Sequence, residues 1–480
     1  MLIVNNEFKD FGMTDSIRVR FAPSPTGSLH LGGVRTALYN YLMARKAQGA
    51  FIIRVEDTDL DRNQEGAESH QLEDLKWLGI DWDEGPDGRG EYGPYYQSQR
   101  GELYQQYAKQ LIDEGKAFAC FLTDDEIDAL HSHENRQLKS PYRDMSLEDA
   151  QQKIDAGEGY VIRYKNTHAK EQYVFQDEVH GKTSLAGDMV GDFVLIRSNG
   201  QPVYNFCCAI DDHLMKITHV LRGEEHLSNT LRQMMIYQAL GWEYPLFGHL
   251  SMILGANRKK LSKRDDSAAL QDFISGGYLP EAILNYVALL GWSHSDSEEK
   301  FTLSEMIPAF SLDRVNKSPA MFDRDKLNWL NHYHMNQQDA KSILRYLAAV
   351  CSSERLSNEE WFTAFWQMIG HQFHTLVEVA DCIALFDTYK LQDKELALGE
   401  GRAVIEAFKE QVAGYDAITE EVFQSITKSI GSTLEVKGKR LFAPIRVALI
   451  GTQSGMELKV LIALLTKQEI VERVTAALST

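Results

Sequence analysis

Cysteine is scarce in this chain and scattered through it. There are five in 480 residues: Cys120, Cys207, Cys208, Cys351 and Cys382. An odd number without a repeating spacing offers no disulfide framework and fits free thiols in a reducing compartment, so a cytoplasmic location is expected. Long apolar runs are missing as well. No stretch reaches the roughly eighteen apolar residues that a membrane-crossing helix requires, so no membrane partner is expected. The opening MLIVNNEFKDFGMTDS carries acids and no basic segment leading into an apolar core, so it does not read as a secretory signal. Residues 1–16 are read as an N-terminal extension, with Met13 as an alternative start. Positive charge is in deficit: Lys and Arg number 50 against 69 Asp and Glu, for a net −19. That excludes a protein basic all over, but not nucleic-acid binding, which needs a local positive track and not a positive total. Two basic clusters stand out, Arg258, Lys259, Lys260, Lys263 and Arg264, and further on Lys437, Lys439, Arg440 and Arg446. Taken alone, each reads more readily as solvated surface.

The length allows more than one domain, and 44% hydrophobic with 25% charged residues fits a globular protein. The most informative stretch is RFAPSPTGSLHLGG, residues 20–33. An apolar run precedes it, and Val34, Ala37, Leu38, Tyr41 and Leu42 follow at helical spacing. The local reading is strand, tight loop, helix N-terminus. Pro23 and Pro25 forbid a continuing ladder, and Gly27 permits a positive φ. Gly32 and Gly33 leave room over a first helical turn whose free N–H groups favour an anion. His30 stands just before that turn, placed to donate to a phosphate oxygen. Composition alone allows a structural Pro-Gly loop beside a satisfied histidine equally well. No Gly-Lys-Ser/Thr follows, so this is not a Walker A loop.

The stretch resembles the N-terminal signature of the glutamyl-tRNA synthetases of bacterial type, which are class I aminoacyl-tRNA synthetases. The His-Ile-Gly-His nucleotide motif of that class reads here His30-Leu31-Gly32-Gly33. The segment Lys260-Leu261-Ser262-Lys263-Arg264 resembles the second class I motif, Lys-Met-Ser-Lys-Ser. FIIRVEDTDLDR, residues 51–62, and GGYLPEAILNYVALLGW, residues 276–292, are similar to the same family, as is VKGKRLFAPIRVALIGTQSGMEL near the end. There the family's His-Gly-Pro is Ser454-Gly455-Met456. The resemblance spans roughly residues 17–475.

The resemblance implies roles at particular positions. His30, Lys260 and Lys263 would be catalytic, stabilising phosphate charge. ATP would meet His30, Gly32, Gly33, Glu224, His226, Leu261, Ser262 and Lys263, with Glu225 close to the adenosine. Glutamate would be held by Arg20, Ala22, Ser24, Glu56, Tyr204, Cys208 and Arg222. Cys208 stands where the family often has Asn or Val, which puts its part in doubt. Arg222 is assigned the γ-carboxylate: a planar fork of donors suits a carboxylate bidentately. Asp211 resembles an acidic residue near the substrate. Lys437, Lys439, Arg440 and Arg446 would contact tRNA phosphates. The substrates implied are ATP with Mg2+, L-glutamate and tRNA(Glu), with tRNA(Gln) left open. Relatives carry zinc after residue 116, but Cys120 with His131 and His133 falls short of four ligands, so no structural zinc is expected. A monomer is expected.

The fold class expected is multidomain α/β plus α: a split Rossmann-like, doubly wound catalytic domain with an inserted α+β acceptor-binding domain, then a helical C-terminal half. The boundaries are 17–115 for the first catalytic half, 116–203 for the insertion and 204–320 for the second half with the KLSKR loop. Junction helices over 321–370 and a helical anticodon-binding domain over 371–480 complete the chain. Within this scheme the pattern predicts helices over 65–78, 101–114 and 279–290. Strands are predicted over 51–55, 160–164 and 192–196. The sheet is expected to resume at Tyr204, with a further strand over 217–221 and then a helix capped by Ser228 or Asn229. Two other classes of function compete: a nucleotidyltransferase of the same fold acting on a small molecule, and a catalytically inert tRNA-binding protein.

Overall fold

The computed structural model describes residues 16–59, 61–130, 140–255, 257–259, 261 and 269–479. The chain forms two compact units, Met1–Asp272 with Ile283–Arg324, and Phe273–Ala282 with Asp325–Thr480.

The first unit is built on a six-stranded sheet. Its strands are β1 (Arg18–Phe21), β2 (Ala50–Ile53), β5 (Gln172–Asp177), β6 (Gly181–Ala186), β8 (His219–Gly223) and β9 (Leu246–Leu250). They lie in the order β2-β1-β8-β9-β5-β6. All pairings are parallel except the β5–β6 hairpin. Phe51, Ile52, Ile53, Val220 and Leu221 are fully buried, as expected for strands covered on both faces. The order reverses between β1 and β8, and the carboxyl ends of strands at such a point form a crevice. A separate antiparallel sheet joins β3 (Ala117–Cys120), β4 (Val161–Tyr164) and β7 (Val194–Ile196). A short parallel pair joins β10 (Ile253–Leu254) to β11 (Ala320–Met321).

Several expectations are met within a residue or two: helices Ala67–Trp77, Gly101–Asp113 and Pro280–Leu289 form, and Pro280 opens the last of these. Three expectations are corrected. Residues Tyr204–Leu214 form a helix, not a strand. The run Phe206–Ile210 is buried throughout, and periodicity alone cannot tell a short buried helix from a buried strand. The next strand is β8, two residues later than expected, which puts Arg222 inside the strand end. Helix Leu227–Leu240 is entered from a 3-10 turn, Glu224–His226, with no side-chain cap, so neither Ser228 nor Asn229 has that role.

Residues 116–203 contribute to two sheets. β3, β4 and β7 make the separate antiparallel one, whereas the β5–β6 hairpin extends the six-stranded sheet through the bridge Asp177↔Phe247.

In the second unit every described element is a helix. A continuous apolar core runs from Leu279 and Ala282 through Phe362, Phe365, Ile405 and Phe408 to Ile470 and Val474. Its helices start on polar caps, Asp339, Asn358, Thr375 and Thr419, each accepting a first-turn N–H. Buried Asn331 accepts the N–H of Leu279 at 2.8 Å and donates to the carbonyls of Gly277 and His374.

Candidate active site

β1 ends in the loop 22–30, which leads into helix Leu31–Lys46. Three devices shape this loop. Gly27 has φ +141°. Glu56 N–H donates to the Pro23 carbonyl and Gln64 N–H to that of Pro25. Gln71, on helix Ala67–Trp77, donates to the carbonyls of Ser24 and Gly27. The loop borders a cleft of about 500 Å³ lined also by Gly223, Glu225, His226, Met252, Leu261 and Ala269. The lining includes Arg20, Ala22, Ser24, His30, Gly32 and Gly33 from the opening motif.

His30 is the N-cap of helix Leu31–Lys46, and its Nδ1 accepts the Gly33 N–H at 3.1 Å. In the neutral ring the proton then sits on Nε2. A Cβ on Gly32 would lie 3.2 Å from the His30 ring, and one on Gly33 3.0 Å from Leu29 Cδ1. Gly32 therefore lets the imidazole lie over the first turn, while Gly33 makes room for Leu29.

His226 also lines the cleft, but side chains engage its Nδ1 in place of a helix N–H. Its Nδ1 is 3.1 Å from the Tyr204 hydroxyl and 3.3 Å from Asn229 Nδ2. Burial first, and Arg222 second, lower its pKa to about 4. Burial raises the Tyr204 phenol well above its usual value. A neutral His226 thus accepts at Nδ1 from a protonated Tyr204 and keeps its proton on Nε2. Glu225 lines the cleft beside it, whereas Glu224 does not: its carboxylate accepts the Met252 N–H at 2.9 Å and braces that segment. Arg35 braces the same segment from helix Leu31–Lys46, donating to the carbonyls of Ser251 and Leu290.

Behind Arg20 lies a buried charge network. Asp212 Oδ1 accepts from Arg20 Nε at 3.1 Å and from Arg54 Nη1 at 2.6 Å. Arg54 Nη2 donates to Glu56 Oε1 at 3.1 Å, and the Cys208 thiol donates to the same oxygen at 3.0 Å. Burial alone would raise the Asp212 carboxyl, but Arg20 and Arg54 more than reverse this and hold it below the usual range. Burial, then Glu56, raises the Cys208 thiol well above its ordinary value, so it stays protonated. The two arginines and two carboxylates balance, as buried charges must.

Arg222 is different. It is 5% exposed, and its partners are neutral: Nη2 donates to Thr230 Oγ1 at 2.7 Å and Nε to His249 Nε2 at 3.3 Å. Its Nη1 is buried without a hydrogen-bond partner. A buried guanidinium without a carboxylate is prepared for an anion supplied from outside.

The structure therefore brings together Arg20, Ala22, Ser24, His30, Gly32, Gly33, His226 and Leu261 as cleft lining. Glu56, Tyr204 and Cys208 reach the cleft residues Arg20 and His226 through hydrogen bonds, and Arg222 is buried nearby in the sheet. Asp211 is corrected: it is fully buried and held by Arg100 at 2.6 Å, Tyr104 at 2.7 Å and Gln97 at 2.8 Å. Its neighbour Asp212 is the residue tied to Arg20, because successive helix residues point about 100° apart. Arg446 is also engaged within the protein. Its guanidinium donates to the Met456 and Gln453 carbonyls, shaping the loop there, while Lys437, Lys439 and Arg440 are exposed. Lys260, Ser262, Lys263, His131 and His133 lie outside the described residues. Among the described residues no group of His, Cys, Asp and Glu could hold a metal ion. Cys120 lies 3.3 Å from Ser140 Oγ. Also among those residues, no helix is long and apolar enough to cross a membrane.

Arg54, Asp212, Thr230 and His249 were not singled out from the sequence. Arg54 carried a signal: a charge inside the apolar run FIIRV requires a buried partner.

Residues 16–329 match the family model of class I tRNA synthetases (E and Q), catalytic domain, and residues 331–478 that of an anticodon binding domain. The glutamate–tRNA ligase of Bdellovibrio bacteriovorus is 42% identical, over 96% of this chain and 98% of that protein. The one from Bacillus subtilis is 41% identical, over 96% and 99%. The crystal structure of a glutamate tRNA ligase from Elizabethkingia meningosepticum in complex with its amino acid superposes with a TM-score of 0.84 at 32% identity, covering 97% of this chain and all of that one. With its catalytic and anticodon-binding regions both matched, the chain belongs to the glutamate–tRNA ligases, within the class I tRNA synthetases for E and Q.

Proposed function

We propose that this chain ligates L-glutamate to tRNA(Glu) through a glutamyl-adenylate. ATP, carried as its magnesium complex, is the second substrate. The glutamate α-carboxylate attacks the α-phosphate and pyrophosphate leaves. A ribose hydroxyl of the terminal tRNA adenosine then attacks the adenylate carbonyl and AMP leaves. Neither step needs a covalent bond to the protein, so catalysis rests on positioning and on stabilising developing charge.

The observation that carries the amino-acid half is the Arg222 guanidinium, buried among neutral partners with Nη1 unpaired. It suits the γ-carboxylate of glutamate. Arg20 assists at the cleft wall, and Ala22, Ser24, Glu56, Tyr204 and Cys208 complete the amino-acid pocket. For ATP, His30 and His226 each present an Nε2–H donor, over Gly32 and Gly33 and beside Glu225 and Leu261. Lys260 and Lys263, with Ser262 between them, take the charge that shifts onto pyrophosphate. The exposed Lys437, Lys439 and Arg440 suit tRNA phosphates, and Arg446 supports the loop behind them.

Charging purified tRNA(Glu) and tRNA(Gln) separately with radiolabelled glutamate tests the reading. Glutamylation of tRNA(Glu) is expected. Charging of both tRNAs would make the enzyme non-discriminating, charging of tRNA(Gln) alone would redirect it, and ATP binding with no charging of either would restore an inert binding protein.

A further inference from the structure

Arg222 does not hold its orientation by itself. Its Nε donates to His249 Nε2 at 3.3 Å, and its Nη2 reaches the Thr230 hydroxyl, which lies 3.0 Å from the same His249 nitrogen. His249 Nδ1 in turn donates to Asp177 Oδ2 at 2.5 Å. Asp177 and His249 are both fully buried. The other Asp177 oxygen accepts the N–H groups of Val179 at 2.9 Å and His180 at 2.8 Å. Asp177 ends β5, on the hairpin from the 116–203 segment, and its bridge to Phe247 is the link between that hairpin and β9. A second-layer carboxylate that takes the Nδ1 proton fixes the imidazole tautomer and turns its Nε2 into an acceptor. Burial lowers the His249 pKa more than Asp177 raises it, so the ring is neutral and its Nε2 lone pair stays available to Arg222.

We propose that Asp177 and His249 are positioning residues for amino-acid selection: through one fixed tautomer they aim the Arg222 guanidinium so that its unpaired nitrogen meets the side-chain carboxylate of the substrate. This rests on the reading of Arg222 as the glutamate ligand. Neither residue touches substrate. The inserted hairpin thereby acts on the glutamate site from behind, through Asp177.

The full-length enzyme tests this with two substitutions that divide the histidine's functions. His249→Asn keeps a donor at the Nδ1 position, toward Asp177, and has no acceptor at the Nε2 position. His249→Gln places its amide oxygen at the Nε2 position, toward Arg222. Steady-state aminoacylation of tRNA(Glu) is measured with glutamate and ATP titrated in turn. His249→Asn is expected to raise KM for glutamate about tenfold, the factor of one misplaced charge-assisted hydrogen bond, with kcat and KM for ATP unchanged. His249→Gln is expected to restore the glutamate KM. Equal behaviour of the two variants, or a loss confined to kcat, overturns the proposal, because a purely structural histidine would not separate them. Should His249→Asn fail to fold, Thr230→Val decides. It removes the hydroxyl between Arg222 and His249, and an unchanged glutamate KM overturns the proposal. Arg222→Lys is the companion. If it leaves the glutamate KM unchanged, the reading of Arg222 as the ligand has failed. If it raises KM while His249→Asn does not, that reading stands and the positioning proposal alone has failed.

Discussion

Asp212 shares one oxygen between two arginines in a site closed to water. Asp212→Ala would leave Arg20 and Arg54 with an uncompensated buried charge, a loss of about 3–5 kcal/mol. Thermal unfolding followed by circular dichroism should show the catalytic unit melting earlier. His30 combines two duties at one position. His30→Ala removes the N-cap, costing about 1 kcal/mol, and it removes a side chain from the cleft lining. ATP–pyrophosphate exchange, measured with tRNA present, should fall about a hundredfold or more, while KM for glutamate changes little. Exchange at the parent rate would overturn the phosphate role. The histidine's place before a helix was legible in the sequence. Its cap was not, because Nδ1 finds the Gly33 N–H only once the loop has turned.

At the scale of the element, helix Leu31–Lys46 opens on two glycines that weaken it locally. Alanine is the better helix former by up to about 1 kcal/mol. Gly32→Ala should therefore leave the melting temperature unchanged or raise it. The new Cβ lies 3.2 Å from the His30 imidazole, so the ring must shift and the exchange rate should fall. A variant that gains stability and loses activity separates the glycine's role from ordinary helix packing. The helix Tyr204–Leu214 shows where element-level reading failed. Its apolar run has no period to read, because every face of Phe206–Ile210 is buried. Asp211 was named near the substrate by resemblance alone. In the helix that forms, Asp211 turns to Arg100 and Tyr104, and Asp212 turns to Arg20 of the cleft wall and to buried Arg54.

For the whole molecule, buried histidines set a pH dependence. His219, by burial, and His226, by burial and Arg222, have pKa values lowered from 6.5 to about 4. Above 6.5 both are neutral whether the chain is folded or not. As pH falls below 6.5 the unfolded chain takes up protons that the folded one refuses, so stability declines until about pH 4. The depressed carboxyls of Asp212 and Asp177 continue the loss below 3.8, their unfolded value. Melting temperature against pH should fall in two stages, and His219→Gln should flatten the upper one. The exposed Lys437, Lys439 and Arg440 of the second unit predict a different behaviour. Each neutralised to Ala should weaken tRNA binding and lower the slope of log K against log salt by about one, with exchange at saturating tRNA unchanged. Arg446→Ala should act instead through the loop it holds, with a smaller change in salt slope.

Legible from the residues alone were the loop after β1, the helix that follows it, the position of Arg222 near a strand end and the helical second half. Each of these follows from residues close together in the chain: prolines and glycines that break a ladder, apolar spacing, and caps. Which side chains meet, by contrast, was set only by the fold. Asp212 reaches Arg20 across 192 residues, and His249 reaches Asp177 across 72. Such partners are chosen by the parallel order of the strands and by burial, which makes a buried polar group costly without a partner. Arg222 meets only neutral hydrogen-bond partners, and no local pattern could have shown that its Nη1 would stay unpaired.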